Sequence, residues 1–101
     1  MIPFEYLFLN LDAVVLAYLI IDDGSSDPSG IVIHTENYTW IEVYKLAGLF
    51  HYLFNIEATV QNHNGQPMLY IKSKSINRLR ELVIPYILPM FSYKINHGKK
   101  F

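Results

Sequence analysis

No cysteine occurs in the 101 residues, which excludes a disulfide framework, a thiolate metal site and a thiol nucleophile. Also missing is any uninterrupted apolar run of the roughly 20 residues that a membrane-spanning helix needs. Residues 1–21 come nearest, and Glu5, Asn10 and Asp12 break them. No basic stretch precedes that run, so neither a secretory signal nor a membrane partner is expected. Lys and Arg are absent before Lys45, where seven acids stand; from Lys45 onward eight basic residues face two acids. The formal net charge is −1, so there is no global basic field of the kind that marks many nucleic-acid binders. The split implies either two faces with different partners or a balance struck within the fold. What is abundant is apolar. At 51% hydrophobic, the chain is too apolar to be disordered and long enough for one small domain over residues 1–101.

Local chemistry divides the chain. Residues 1–11 read as an extended lead-in. Asp12 is a candidate N-cap for a helix over Ala13–Ile21, whose only polar side-chain atom is the Tyr18 hydroxyl. A helix apolar on every side must be covered on every side, by a sheet and by a further helix. Ala13 and Ala17, four residues apart, offer that further helix a narrow stripe. Gly24 then reads as a left-handed cap. Ser25–Gly30 is a loop or short strand, and Ile31–Glu36 is rich in β-formers. Thr39-x-x-Glu42 is a capping box for a helix to about Phe54, with Val43, Ala47, Phe50 and Phe54 on one stripe. Trp40 and Leu53 read as core with Phe50 and Phe54.

Ile56, Ala58 and Val60 alternate with Glu57, Thr59 and Gln61 as in a half-buried strand. Asn64-Gly65 signals a two-residue hairpin, with Met68–Lys72 returning after Pro67. Ser75 reads as the cap of a last helix that Pro85 ends, and Pro89 breaks the tail. The order α, β, β, α, β, β, α makes this an α+β domain with no internal repeat.

One place breaks local rules. Asp22 and Asp23 stand together at a helix C-terminus, where the dipole is negative and the two carboxylates repel. Each effect costs about 0.3–1 kcal/mol when exposed. Sites that violate local propensity are where function is expected, and a divalent cation would reverse both signs.

Leu16-Ala17-Tyr18-Leu19-Ile20-Ile21-Asp22-Asp23-Gly24 resembles the LAGLIDADG motif of organellar intron-encoded homing endonucleases. Ile2-Pro3 before it, Ile31–Glu36, Met68–Ile71 and the closing Pro85-Tyr86-Ile87-Leu88-Pro89-Met90 with Tyr93-Lys94 resemble further family segments in the same order. The resemblance implies an αββαββα half-domain with a four-stranded antiparallel sheet, and a Mg²⁺-dependent endonuclease acting on double-stranded DNA. It implies that Asp23 is the catalytic metal-binding acid, that Asp22 gives its backbone carbonyl to the metal, and that Lys94 lies near the site. Two such helices pack together in the family, here through Ala13, Leu16, Ala17 and Ile20. Ser25, Ser26, Thr59, Gln61, His63, Tyr70 and Lys72 are the implied DNA contacts.

His34 is expected to be packed, and Glu36 stands where the family often carries Gln. With one motif, the chain resembles a carboxy-terminal half, completed as a homodimer or by a separately encoded first half. The first hairpin is short and Lys72 is the one fixed cation on the polar sheet face, so weak binding is expected from this half alone. The alternative is a non-catalytic subunit that binds structured RNA or protein in an organellar ribonucleoprotein; a third is a fragment that folds only with a partner. Phe, Tyr, Met, Ile, Asn and Lys, which have AT-rich codons, supply 42 of the 101 residues. That favours an organellar gene, foremost mitochondrial, whose product needs no transit peptide.

Overall fold

The computed structural model describes residues 2–96, with side chains through Ile87. Helix α1 (Phe4–Asn10) leads into α2 (Ala13–Asp23), followed by strands β1 (Gly24–Asp27) and β2 (Gly30–Ile33). Helix α3 (Trp40–Phe54), strands β3 (Ala58–His63) and β4 (Gln66–Lys72), a 3₁₀ turn at Ser73–Ser75 and helix α4 (Ile76–Asn96) complete the order. The four strands form one antiparallel sheet in the order β1-β2-β4-β3. Ile33, Leu69 and Ile71 point from it into the core, where Leu16, Leu19, Val43, Leu46, Phe50 and Leu79 are fully or almost fully buried. This is the α+β, four-stranded antiparallel architecture expected from the sequence, with one helix added. None of the helices among the described residues is long and apolar enough to cross a membrane.

Several elements follow from local chemistry. The Asp12 carboxylate accepts the Val15 N–H at 2.9 Å and starts α2. Thr39 and Glu42 close a reciprocal capping box at the head of α3. Asn64 and Gly65 both take positive φ, 53° and 83°, as a type I′ hairpin turn requires.

Other elements differ from the sequence expectation, each for a tertiary reason. The lead-in is helical over Phe4–Asn10 rather than extended. Leu7 and Leu11 are buried, and the Phe4 ring meets Tyr38 edge-on with centroids 5.6 Å apart. Burial stabilises a helix too short to hold alone. Helix α4 continues through Pro85 and Pro89 to Asn96. Leu79, Val83 and Ile87, spaced by four, are buried on one side of it; carrying Ile87 into the core offsets the lost backbone hydrogen bond. Ser75 does not act as a side-chain cap; its hydroxyl accepts the Glu57 N–H at 2.9 Å. Trp40 (36% exposed) and Leu53 (43%) lie at the surface, because the capping box turns Val43, Leu46, Phe50 and Phe54 inward instead. Strand β2 ends at Ile33, and the buried Thr35 hydroxyl then donates to Pro67 O and accepts from Leu69 N.

The acids before Tyr44 have no Lys or Arg partner within ion-pair distance among the described residues; the pairs with Lys or Arg are Lys74–Glu57 and Arg78–Glu81. The charge split is therefore not cancelled by direct pairing.

Two glycines give opposite predictions. A Cβ at Gly30 would lie 2.2 Å from the Ile71 carbonyl oxygen. Gly30→Ala is expected to cost about 2–3 kcal/mol in urea unfolding; a loss below about 0.5 kcal/mol would show that the strands separate freely there. Gly48 sits in mid-α3, exposed, with nothing within 4 Å of an added Cβ. Gly48→Ala is expected to stabilise by about 1 kcal/mol, the helix-propensity difference, read as a rise in Tm.

Candidate active site

Helix α2 ends without a spacer. Gly24 is the first residue of β1 and is extended (φ −90°, ψ 148°), not the left-handed cap its identity suggests. Glycine is required there by proximity, since a Cβ would stand 2.5 Å from the Ile20 carbonyl oxygen. The Asp23 carbonyl accepts the His34 N–H at 2.8 Å, which ties the helix end to the end of β2. Asp23 is thereby fixed where the helix and two strands converge.

The Asp23 carboxylate is poorly compensated. Its Oδ2 is sealed from solvent and has no hydrogen-bond partner among the described residues. Burial pushes its pKa above the ordinary 3.8; the positive amino terminus and, less strongly, His34 pull the other way, while the charges of Asp22 and Glu36 push with burial. Asp22 is exposed. His34 is exposed rather than packed: Nε2 lies 3.0 Å from Ser25 Oγ, and Nδ1 makes a long 3.4 Å contact with Glu36. A sealed carboxylate oxygen with no donor beside it suits a hard cation. No cluster of three His, Asp or Glu side chains able to hold a metal exists among the described residues. Among the described residues the site offers one good carboxylate ligand and no complete cage.

Strand register places the polar candidates. Ser25 pairs with Val32, Val32 with Tyr70, and Tyr70 with Thr59, so these four make one row across the sheet. That row, with Gln61, His63 and Lys72, lies on the face opposite buried Ile33, Leu69 and Ile71. Lys72 is the one Lys or Arg on this face among the described residues. Ser26 pairs with Ile31 and points to the helix side instead. At the hairpin tip the Tyr70 hydroxyl donates to Ser29 Oγ, and Ser29 donates in turn to Asp27. The Ser29 backbone N–H and then its hydroxyl, both donated to Asp27 Oδ1, keep the Asp27 pKa below its ordinary value, so the face carries a fixed negative charge there.

Helix α2 leaves one stripe uncovered. Leu16 and Ala17 have no exposure, being consumed inside the chain's own core; Ala13 and Ile20 are half-buried. Val14 (38% exposed), Tyr18 (49%) and Asp22 form the open stripe at i, i+4 and i+8. With Ile2 and Tyr6 of the lead-in they line a groove of about 250 Å³. An all-apolar helix carries no phase in its sequence, which is why the small-residue stripe suggested a different side. The Lys94 side chain lies outside the described residues.

Comparison with known proteins gives consistent matches. Residues 1–79 match the family model described as the LAGLIDADG DNA endonuclease family. The cytochrome b mRNA maturase bI2 of Saccharomyces cerevisiae is 31% identical over 90 residues, covering 86% of this chain and 21% of that protein. A probable intron-encoded endonuclease 1 of Wickerhamomyces canadensis is 30% identical over 87 residues, covering 79% and 38%. A solved structure of the homing endonuclease I-WcaI bound to its DNA recognition sequence superposes with a TM-score of 0.77 at 31% identity. It covers 88% of this chain and 43% of that one. The chain thus spans less than half the length of each of these relatives.

Proposed function

The chain belongs to the LAGLIDADG DNA endonuclease family, and from that premise we propose that it is one half of a site-specific, Mg²⁺-dependent endonuclease for double-stranded DNA, of the intron-homing type. The second half is another LAGLIDADG helix, from a second copy or from a separate chain, docked on the α2 stripe. The observation that carries the reading is the Asp23 carboxylate, whose buried Oδ2 has no partner among the described residues, held at the end of a helix whose neighbouring stripe is open. Asp23 would hold the cation by its carboxylate and Asp22 by its backbone carbonyl, with Lys94 nearby. When bound, such an ion lowers the pKa of an attacking water and neutralises charge on the scissile phosphate. The fold keeps Asp23 poised for this by rigid attachment to β1 and His34, and the outer sheet face offers hydroxyl, amide and imidazole groups that suit base edges in a major groove.

The intron-encoded relatives and the AT-rich residue usage support an organellar, foremost mitochondrial, location. The test is cleavage of duplex DNA by the chain together with its second half, present with Mg²⁺ and absent with a chelator. Cleavage that persists in chelator removes the metal from the account. Relatives named as mRNA maturases, and a sheet face with a single fixed cation, favour a second reading: a non-catalytic subunit that binds structured RNA. Retention of structured RNA with no affinity for any duplex DNA would select it.

A further inference from the structure

Arg80 is the one arginine among the described residues with neither an ion pair nor a hydrogen bond. It is exposed, and it lines a groove of about 380 Å³ between the β1–β2 hairpin and the start of α4. Ser26, Ser73 and Asn77 line the same groove, and their side chains also have no partner among the described residues. The Asp27 carboxylate is the one negative group on the lining, and its Oδ1 already takes the N–H and hydroxyl of Ser29. A guanidinium, an amide and two hydroxyls, lining one groove and unspent among the described residues, are the donors that recognise a phosphate group.

We propose that this groove binds a backbone phosphodiester of the nucleic acid that lies on the sheet, beside the hairpin edge and outside the polar face. The inference rests on the DNA reading above and extends it to residues off that face. Strand β1 is an edge of the sheet. Four strands at about 4.8 Å spacing are roughly 14 Å wide, comparable with the ~12 Å width of a B-DNA major groove. A sheet seated in that groove therefore brings its edge strand against a phosphate wall. The sheet face itself supplies only Lys72, whereas phosphate neutralisation provides most of non-specific affinity. Arg80 and its neighbours supply the contact that the face lacks, and Ser26, turned away from the bases by register, belongs to it.

The test is the salt dependence of binding, measured by fluorescence anisotropy for the full chain, Arg80→Ala and Arg80→Lys. The probes are a target-like duplex, a scrambled duplex and a structured RNA. Arg80→Ala is expected to weaken both duplexes equally, about 3–10-fold near 0.1 M salt, and to reduce the log–log salt slope by about 1. Arg80→Lys is expected to restore most of the slope, and thermal melts of all three proteins should coincide because Arg80 is exposed and makes no ion pair or hydrogen bond among the described residues. Unchanged slopes in a chain that binds duplex DNA would overturn the groove and leave the DNA reading standing. Loss confined to structured RNA would keep the groove as a phosphodiester site and overturn the DNA reading. Failure of the chain to bind any of the three would overturn both.

Discussion

Asp23→Asn is expected to abolish DNA cleavage and, in the same protein, to make the fold more stable. The loss of activity should be on the order of 1,000-fold, the scale on which a single preorganised charged or donor group acts at a reacting phosphate or carbonyl. The gain in stability follows from the site's local cost. Asp23 sits at the negative end of α2 beside Asp22, with Oδ2 sealed and without a partner among the described residues. Removing that charge should return about 0.5–1 kcal/mol, or about 2–6 °C in Tm for a chain of this size.

The pH dependence carries the same sign. The folded-state pKa of Asp23 lies above its ordinary 3.8, so as pH rises past 3.8 the unfolded chain ionises first and folding stability falls. The penalty is complete once pH exceeds the folded value, and it is absent below 3.8. Asp23→Asn lacks this decline, so the two stability profiles should converge in acid and separate toward neutrality. In the paired complex, Mg²⁺ should raise the Tm of the wild type and leave the variant unmoved, since only a ligand that binds the folded state stabilises it. A variant that cuts DNA, or one that is less stable at neutral pH, would remove Asp23 from the role assigned to it.

Tyr18→Glu is expected to separate the chain from its second half without unfolding it. Tyr18 is 49% exposed on the open stripe of α2, and glutamate is a good helix former. The isolated chain should lose no more than about 0.5 kcal/mol, mainly from the like charge of Asp22 one turn on. In a docked pair the same carboxylate is buried in an apolar seam whose described lining, Ile2, Tyr6, Val14 and Val15, holds no Lys or Arg to meet it. An unpaired charge at the centre of an interface costs about 3–5 kcal/mol, so the dissociation constant should rise at least about 100-fold. Sedimentation velocity with wild type, Tyr18→Glu and Tyr18→Phe reads this directly. Cleavage should fall with pairing, and Tyr18→Phe should retain both. Pairing that survives Tyr18→Glu would place the interface elsewhere.

Features set by nearest neighbours were legible in the sequence. Asp12, the Thr39–Glu42 box and Asn64-Gly65 act over one to four residues, and each performs the expected bond or dihedral. The conflict at Asp22-Asp23 was legible for the same reason, and it coincides with the sealed oxygen. What distant contacts decide was not legible. Helix α1 and the passage of α4 through Pro85 depend on burial of Leu7 and Ile87, which local propensity opposes. Helix α2 is apolar all round, so its sequence could not show that Leu16 and Ala17 face inward while Val14 and Tyr18 stay open. Ser25 and Ser26 differ only in strand phase, and one residue of register sends them to opposite faces. Arg80 shares a groove with Ser26 only because topology returns the chain to the first hairpin, across more than fifty positions of sequence.

The docking of α2 against a second motif helix is tested most directly by hydroxyl-radical footprinting of the chain, free and within a complex that cleaves DNA. Tyr18, half exposed in the free chain, should become protected, whereas Tyr52, 84% exposed on the far helix α3, should react equally in both. A complex that cuts DNA with Tyr18 as reactive as before would contradict the account.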